Sequence, residues 1–206
     1  MTQLEVPTEL IAGEYLLQRY DATVADYERA ANEDTRLELL DEVLIMHSPA
    51  SVRHELIFSF LLGLMQGYVR AKDLGTVLGS RTPMYLENMR RFEPDLLFVS
   101  NAAMPRLGDT ALRGAADLVI EILSPATREY DLGKKRDAYA AGGVGEYWMI
   151  DAANSRLMVD RPAGARRSEL ESGWYDTDAV AGFRLDVSWL WRNPPPDANA
   201  CLKEIL

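Results

Sequence analysis

Cysteine is almost absent from this chain. Cys201 stands alone, which excludes an internal disulfide framework and a cysteine-rich zinc site. Histidine is nearly as scarce: only His47 and His54 offer imidazole ligands, so a multi-histidine zinc centre is disfavoured. No glycine-rich phosphate loop follows any strand-like run, which argues against the nucleotide-binding folds built on one. Long apolar runs are missing too. The stretch from Leu56 to Met65 is interrupted by Ser59 and Gly63 and falls far short of the roughly 20 residues a membrane helix needs. The N-terminus lacks a basic-then-apolar signal pattern, so a cytoplasmic protein with no membrane partner is expected. Basic residues are outnumbered, 22 Lys and Arg against 32 Asp and Glu, for a net charge of -10. That balance counts against generalised nucleic-acid binding, which leaves a basic footprint. It leaves room for a local basic groove, because Arg128, Lys134, Lys135 and Arg136 crowd one short segment of a chain with few lysines.

What the chain does contain is acid in unexpected places. Glu121 sits inside the apolar run from Leu118 to Leu123, whose β-branched residues predict a strand covered on both faces. An ionised carboxylate there costs roughly several kcal/mol unless a metal ion or another cation compensates it. Asp95 follows Pro94 and opens a second apolar strand, Leu96 to Val99. Two acids on neighbouring core strands, with Lys134 and Lys135 close behind, suit metal-assisted phosphodiester cleavage. Each acid also has a plainer explanation. Asp95 could simply start a strand and cap a turn, and Glu121 could pair with an arginine in a structural salt bridge.

The size and the 48% hydrophobic content support one domain spanning 1–206. Within it, 1–35 reads as an N-terminal helical extension, 36–190 as the core and 191–206 as a C-terminal tail. Residues 36–46 predict a hairpin turning at Asp41-Glu42. Ser51 is a helix N-cap candidate, with His54 and Glu55 in the first turn of a helix running to about Ala71. Strand character follows over 76–86, then a polar turn at 87–91, the Asp95 strand, and a long loop over 101–116. After Leu123, Ser124-Pro125-Ala126-Thr127 breaks the strand. A helix is expected from Asp131 to Ala141, stopped by Gly142-Gly143. Residues 146–151 form a strand that pairs with 156–160, and β-character continues to about Leu185. The order of helix, strands, helix, strands gives an α+β fold, a mixed α/β sheet rather than a doubly wound repeat. Tyr147 and Trp148 are expected to pack in the core. Trp174, Trp189 and Trp191 suit a dimer interface, with burial of Trp189 in the monomer an equal alternative.

The segment from Ala116 to Tyr139, followed by Gly143 to Asp151, resembles the PD-(D/E)XK nuclease superfamily. It is closest to the bacterial Uma-two branch of restriction endonucleases. Upstream, Glu38 to Asp41, Ser48 to His54, and Pro94-Asp95 stand where that family has similar elements, so the likeness covers about 38–190. The resemblance implies a restriction-endonuclease-like αβββαβ core, here with additional N-terminal helices and C-terminal strands. It also implies a Mg²⁺-dependent site cleaving DNA (Mn²⁺ being an alternative ion) and a homodimer or higher homo-oligomer.

The chain departs from the superfamily at one place: the lysine expected two residues after the acid is Leu123. By resemblance, Lys135 on the following helix takes that role, with Asp131 and Tyr139 on the same helical face and Lys134 turned toward solvent. Asp95 and Glu121 are then the metal carboxylates, and the Ile122 carbonyl is a third oxygen ligand. Glu38 is an outer-shell or second-metal acid, and His54 contacts a phosphate or a metal-bound water. The missing lysine and the acidic charge keep one alternative open: a catalytically inactive nuclease-fold module acting in protein or nucleic-acid interaction.

Overall fold

Alternating and continuous apolar runs set up two sheets that share a core. The structure, a computed structural model, describes residues 16–31, 35–79, 82–87, 89–161 and 167–206. The helical reading of 1–15 and 32–34, and the strand reading at 80–81 and 162–166, lie outside the described residues. In chain order the first elements are β1 (Leu16–Arg19), α1 (Val24–Ala30), β2 (Leu37–Leu40), β3 (Val43–His47) and α2 (Val52–Lys72). Then come β4 (Gly75–Gly79), β5 (Met84–Leu86), β6 (Arg90–Phe92), β7 (Leu96–Ser100), β8 (Leu112–Arg113) and β9 (Leu118–Ile122). A helical run follows: α3 (Arg128–Tyr130), a π-helical turn (Asp131–Lys135) and α4 (Arg136–Gly142). The chain closes with β10 (Glu146–Asp151), β11 (Arg156–Asp160), β12 (Ser168–Leu170), β13 (Trp174–Asp176), β14 (Arg184–Asp186) and α5 (Ala198–Ile205).

One six-stranded sheet has the order β12-β11-β10-β9-β7-β4, and β13 pairs with β14 in a small separate sheet. Strands β4, β7 and β9 are antiparallel neighbours, and β9 lies parallel to β10. A parallel pair needs a crossover, and the helical run over 128–142 supplies it. With α2 in front, this is the αβββαβ arrangement of a restriction-endonuclease-like core. The second sheet, β1-β3-β2-β6-β5-β8, is laid against it.

Alternation decides which residue faces which core. Leu96, Phe98, Leu118, Ile120 and Trp148 pack on one side against the α2 stripe of Ile57, Phe60, Leu61, Leu64 and Met65. Their neighbours Leu97, Val99, Val119 and Met149 face the other way. There they meet Ala138 and Tyr139 of α4, and Leu40, Ile45, Met84 and Phe92 of the second sheet. Asp95 and Glu121 share the parity of Leu97 and Val119, so they too point into this second layer.

Local chemistry explains the boundaries. Ser51 caps α2, its hydroxyl accepting from the His54 amide at 3.2 Å. The β2–β3 hairpin turns through Asp41 and Glu42, both at positive φ, as a two-residue turn of this handedness requires. Gly143, at φ 84°, closes α4 in the left-handed conformation glycine adopts without strain.

Several expectations are corrected. Leu16–Arg19 is a strand, not a helix, because it pairs along β3 and completes the sheet edge. The crossover helix starts at Arg128, three residues early, since Ser124 and Thr127 cap each other's backbone just before it. The segment over 76–86 is divided between the two sheets. The stretch read as a tail contains α5, capped by the Asp197 carboxylate on the Ala200 amide, with Cys201 and Ile205 packed into the α2 side of the core. Trp189 is buried against Phe60 and Trp174, whereas Trp174 is partly exposed beneath Arg184. Among the described residues, no helix is long and apolar enough to cross a membrane.

Candidate active site

The ladder between β7 and β9 pairs Leu97 with Val119 and Leu96 with Ile120. Continuing it one step places Asp95 opposite Glu121 on the same face of the sheet. The Ile122 amide confirms the alignment by donating to Asp95 Oδ2 at 2.8 Å. Both acids are nearly inaccessible, at 2% exposure each.

Glu38 arrives from the facing sheet. It shares its parity with Leu40 on β2 and is fully buried. Its Oε1 accepts from the Glu93 amide at 3.0 Å, and its Oε2 lies 3.0 Å from His47 Nε2. Lys135 comes from the π-helical turn and joins the two sheets. Its ammonium lies 2.7 Å from Glu38 Oε1, 2.7 Å from Glu121 Oε1 and 3.8 Å from Asp131 Oδ1. The rings of Phe92, Tyr130 and Tyr139, each under 6 Å from that nitrogen, wall it in. Tyr139 also donates its hydroxyl to Glu121 Oε1 at 2.8 Å. Lys134 points outward and is exposed, as the helical spacing requires.

His54 stands at the start of α2 with Nε2 3.0 Å from Asp95 Oδ2. Asp95 Oδ1 accepts from Arg36 Nη2 at 2.9 Å. A small cavity of about 30 Å³ opens here, lined by Arg36, His54, Asp95, Glu121, Ile122 and Asp131 among others. That is room for one or two waters or a small cation.

The structure therefore brings Glu38, His54, Asp95, Glu121, Ile122 and Lys135 together. It adds three residues to which the sequence assigned no role: Arg36, His47 and Asp131. Arg36 had a readable signal, since it lies two residues before Glu38 and shares its face by strand alternation. His47 lies two residues past Ile45, the register partner of Glu38. Asp131 was legible only as a neighbour of Lys135 on one helical face.

Electrostatics follow from the count. Glu38, Asp95, Glu121 and Asp131 are all buried, and Arg36 and Lys135 are the permanent cations among them. Full ionisation of the acids would leave two negative charges in excess. Burial raises every one of these carboxyls, and local partners decide the outcome. For Asp95, burial is outweighed by the Arg36 charge and the His54 hydrogen bond, so it sits well below the usual carboxylate range. Lys135 and His47 do the same for Glu38. Glu121 goes the other way. Burial, reinforced by the Asp95 and Asp131 charges, outweighs Lys135 and pushes it up to about 8. Lys135 itself is held charged: burial opposes it, but Glu121 and Glu38 prevail. The two shifts of this pair pull apart, and the protonated partner is Glu121, because Lys135 is shared with Glu38. His54 is raised as well, its burial overcome by Asp95.

Donor chemistry and charge both suit a hard divalent cation. Asp131 lines the cavity, and its Oδ1 is buried without a hydrogen-bond partner. The oxygens of Asp95, Glu121 and Asp131 are the ligand type Mg²⁺ takes, and Mg²⁺ keeps several waters of its own. A closed cage is not present: among the described residues, no three His, Cys, Asp or Glu side chains are grouped to hold a metal. Arg36 already neutralises part of the charge, an ion pair that the sequence considered for Glu121 and that the structure gives to Asp95 instead.

Comparison with known proteins gives concordant results. The model of the Uma2 family, described as "putative restriction endonuclease", matches residues 24–188. A crystal structure from Anabaena variabilis, described as a "putative nuclease belonging to DUF820", superposes with a TM-score of 0.72 at 16% identity. It covers 82% of this chain and 97% of its own, a likeness of fold. The curated proteins contain no match.

Proposed function

Because the chain belongs to the Uma2 family, we propose that it is a Mg²⁺-dependent endonuclease hydrolysing DNA phosphodiester bonds, with Mn²⁺ able to substitute. The observation that carries this is the meeting of Asp95 and Glu121, from two strands, at one cavity with an excess of buried acid, with Lys135 of the crossover helix in contact with Glu121. Asp95 and Glu121 hold the ion, with the Ile122 carbonyl as a third oxygen. When bound, the ion supplies acidity to the attacking water and offsets charge on the scissile phosphate.

The protein's own groups do the rest. Lys135, fixed between Glu38 and Glu121, directs its remaining N–H toward the attacking water or the developing anion. Glu38 positions that lysine. His54 holds Asp95 from the cavity wall and meets the phosphate at the start of α2. Lys135 fills the role left vacant at Leu123. The expected homodimer or higher homo-oligomer rests on the family resemblance.

The test is plasmid cleavage by purified protein with Mg²⁺ or Mn²⁺. Activity is expected in the wild type and lost in Asp95→Ala and Glu121→Ala; undiminished cleavage in both variants refutes the assigned site. One observation favours a second reading, an inactive nuclease-fold module in protein or nucleic-acid interaction. It is the Arg36–Asp95 ion pair, an internal cation where a metal would bind. Absence of both cleavage and a calorimetric metal signal would select that module.

A further inference from the structure

We infer that Arg36 is the resident counter-ion of Asp95 and competes with the divalent cation for a single oxygen, Asp95 Oδ1. The inference rests on the proposed metal site and assigns a role to a cavity residue that is not one of its ligands. A carboxylate offers about two acceptor positions per oxygen. On Asp95 Oδ2 both are filled, one by the Ile122 amide at 2.8 Å and one by His54 Nε2 at 3.0 Å. An ionised carboxylate donates nothing, so the imidazole nitrogen is the donor there. Among the described residues, Oδ1 has one partner, Arg36 Nη2 at 2.9 Å. An incoming ion must therefore use Oδ1, beside the guanidinium.

The two cations of the site are not equally free to yield. Lys135 is fully buried, and moving it would uncover Glu38 and Glu121 together. Arg36 is the more exposed of the two, its side chain 22% accessible against 0% for Lys135. Among the described residues, its other hydrogen bond is to the Glu93 carbonyl at 2.9 Å, and its Nε is buried with no partner. A guanidinium presents five donors, so this one is held by a minority of them. It can withdraw while Oδ2 of Asp95 stays anchored by backbone and imidazole. Arg36 thus keeps the acid neutralised in the metal-free protein, at the cost of weaker metal binding.

The experiment is Mn²⁺ titration calorimetry on the whole chain, wild type against Arg36→Gln, Arg36→Lys and Glu121→Gln, with thermal unfolding in EDTA and in Mn²⁺. Arg36→Gln is expected to bind Mn²⁺ about tenfold more tightly or better, because a like charge has left the site. It is also expected to melt lower in EDTA and to gain more from Mn²⁺ than the wild type does. Arg36→Lys keeps the charge but loses the planar fork, so it should fall between, roughly threefold tighter than wild type. If Arg36→Gln does not fold, Arg36→Lys decides: unchanged affinity overturns the counter-ion role. Equal or weaker binding by a folded Arg36→Gln also overturns it. If the wild type binds Mn²⁺ and Glu121→Gln does not, while Arg36→Gln is unchanged, only the counter-ion role fails. If neither the wild type nor Arg36→Gln binds Mn²⁺, the metal site itself fails.

Discussion

Lys135→Met is the sharpest perturbation the structure offers. The thioether side chain has nearly the same length and retains the contacts with Phe92, Tyr130 and Tyr139, but removes the charge. Glu38 keeps His47 and the Glu93 amide, and Glu121 keeps the Tyr139 hydroxyl. Taking one partner out of a buried ion pair typically costs about 3–5 kcal/mol, because the other charge stays buried and unmatched. For a domain of this size each kcal/mol lowers Tm by about 2–4 °C, so the melting point should fall by about 6–20 °C. The sign with pH is fixed by Glu38. Its folded-state value lies below its unfolded one, so its stabilisation is present in full above the ordinary carboxylate range and is lost progressively as pH falls from there to the depressed folded value. Lys135 is the main cause of that depression. The gap between wild type and variant should therefore be full near pH 7.5 and shrink toward pH 4. Urea unfolding followed by the fluorescence of buried Trp148 measures both. A loss of under about 1 kcal/mol at pH 7.5 would show that the ammonium is not what keeps these acids buried. So would a gap that fails to narrow in acid.

Other expectations come from the same cluster. Glu121 is raised to about 8, so folded protein binds more protons than unfolded between the ordinary carboxylate pKa and that value. Metal-free stability should fall as pH climbs through this window, while Mg²⁺ affinity should rise about tenfold from pH 6.5 to 7.5. Calorimetry showing a flat profile in the wild type, or an unchanged slope in Glu121→Gln, would contradict this. Tyr139→Phe loses the 2.8 Å hydrogen bond to Glu121 but keeps its edge contacts with Phe92 and Tyr147. It should cost about 1–2 kcal/mol in denaturant unfolding and reduce DNA cleavage; wild-type values in both assays would show the phenol idle.

Much of this centre could be seen in the sequence because strands repeat with a period of two. Asp95 and Glu121 stood out as acids in apolar runs, and alternation alone puts them on one face. Lys135 came from the family resemblance, and the structure places its nitrogen within hydrogen-bonding distance of Glu121. What could not be read depends on contacts between sheets. Arg36 and Asp95 are far apart in the chain and meet only when the hairpin folds over β7. Leu16–Arg19 carries no strong strand pattern and becomes a strand by pairing with β3.

Glu146 limits how far the buried-acid argument can be pushed. It too is an acid in an apolar strand, and it is 1% exposed. Its Oε1 accepts from the Trp148 indole, Tyr175 and Thr177, and its Oε2 from the Asp178 amide. That carboxylate is satisfied by these neutral donors together with Arg161, whose Nε lies 3.6 Å from Oε2. An acid inside a strand marks a site only where its partners leave it short, and a linear sequence does not show that.

The π-helical turn over Asp131–Lys135 has a mechanical consequence. The crossover helix is wound loosely at the point where its lysine must reach two acids on different sheets. An ordinary helix advances about 100° per residue, so tightening this turn would swing everything beyond it around the axis. The ammonium would leave both carboxylates, and Tyr139 would be carried off Glu121 in the same movement. Helical pitch and the aim of the reactive groups are thus geared together, as in a key whose bit must stop at one angle.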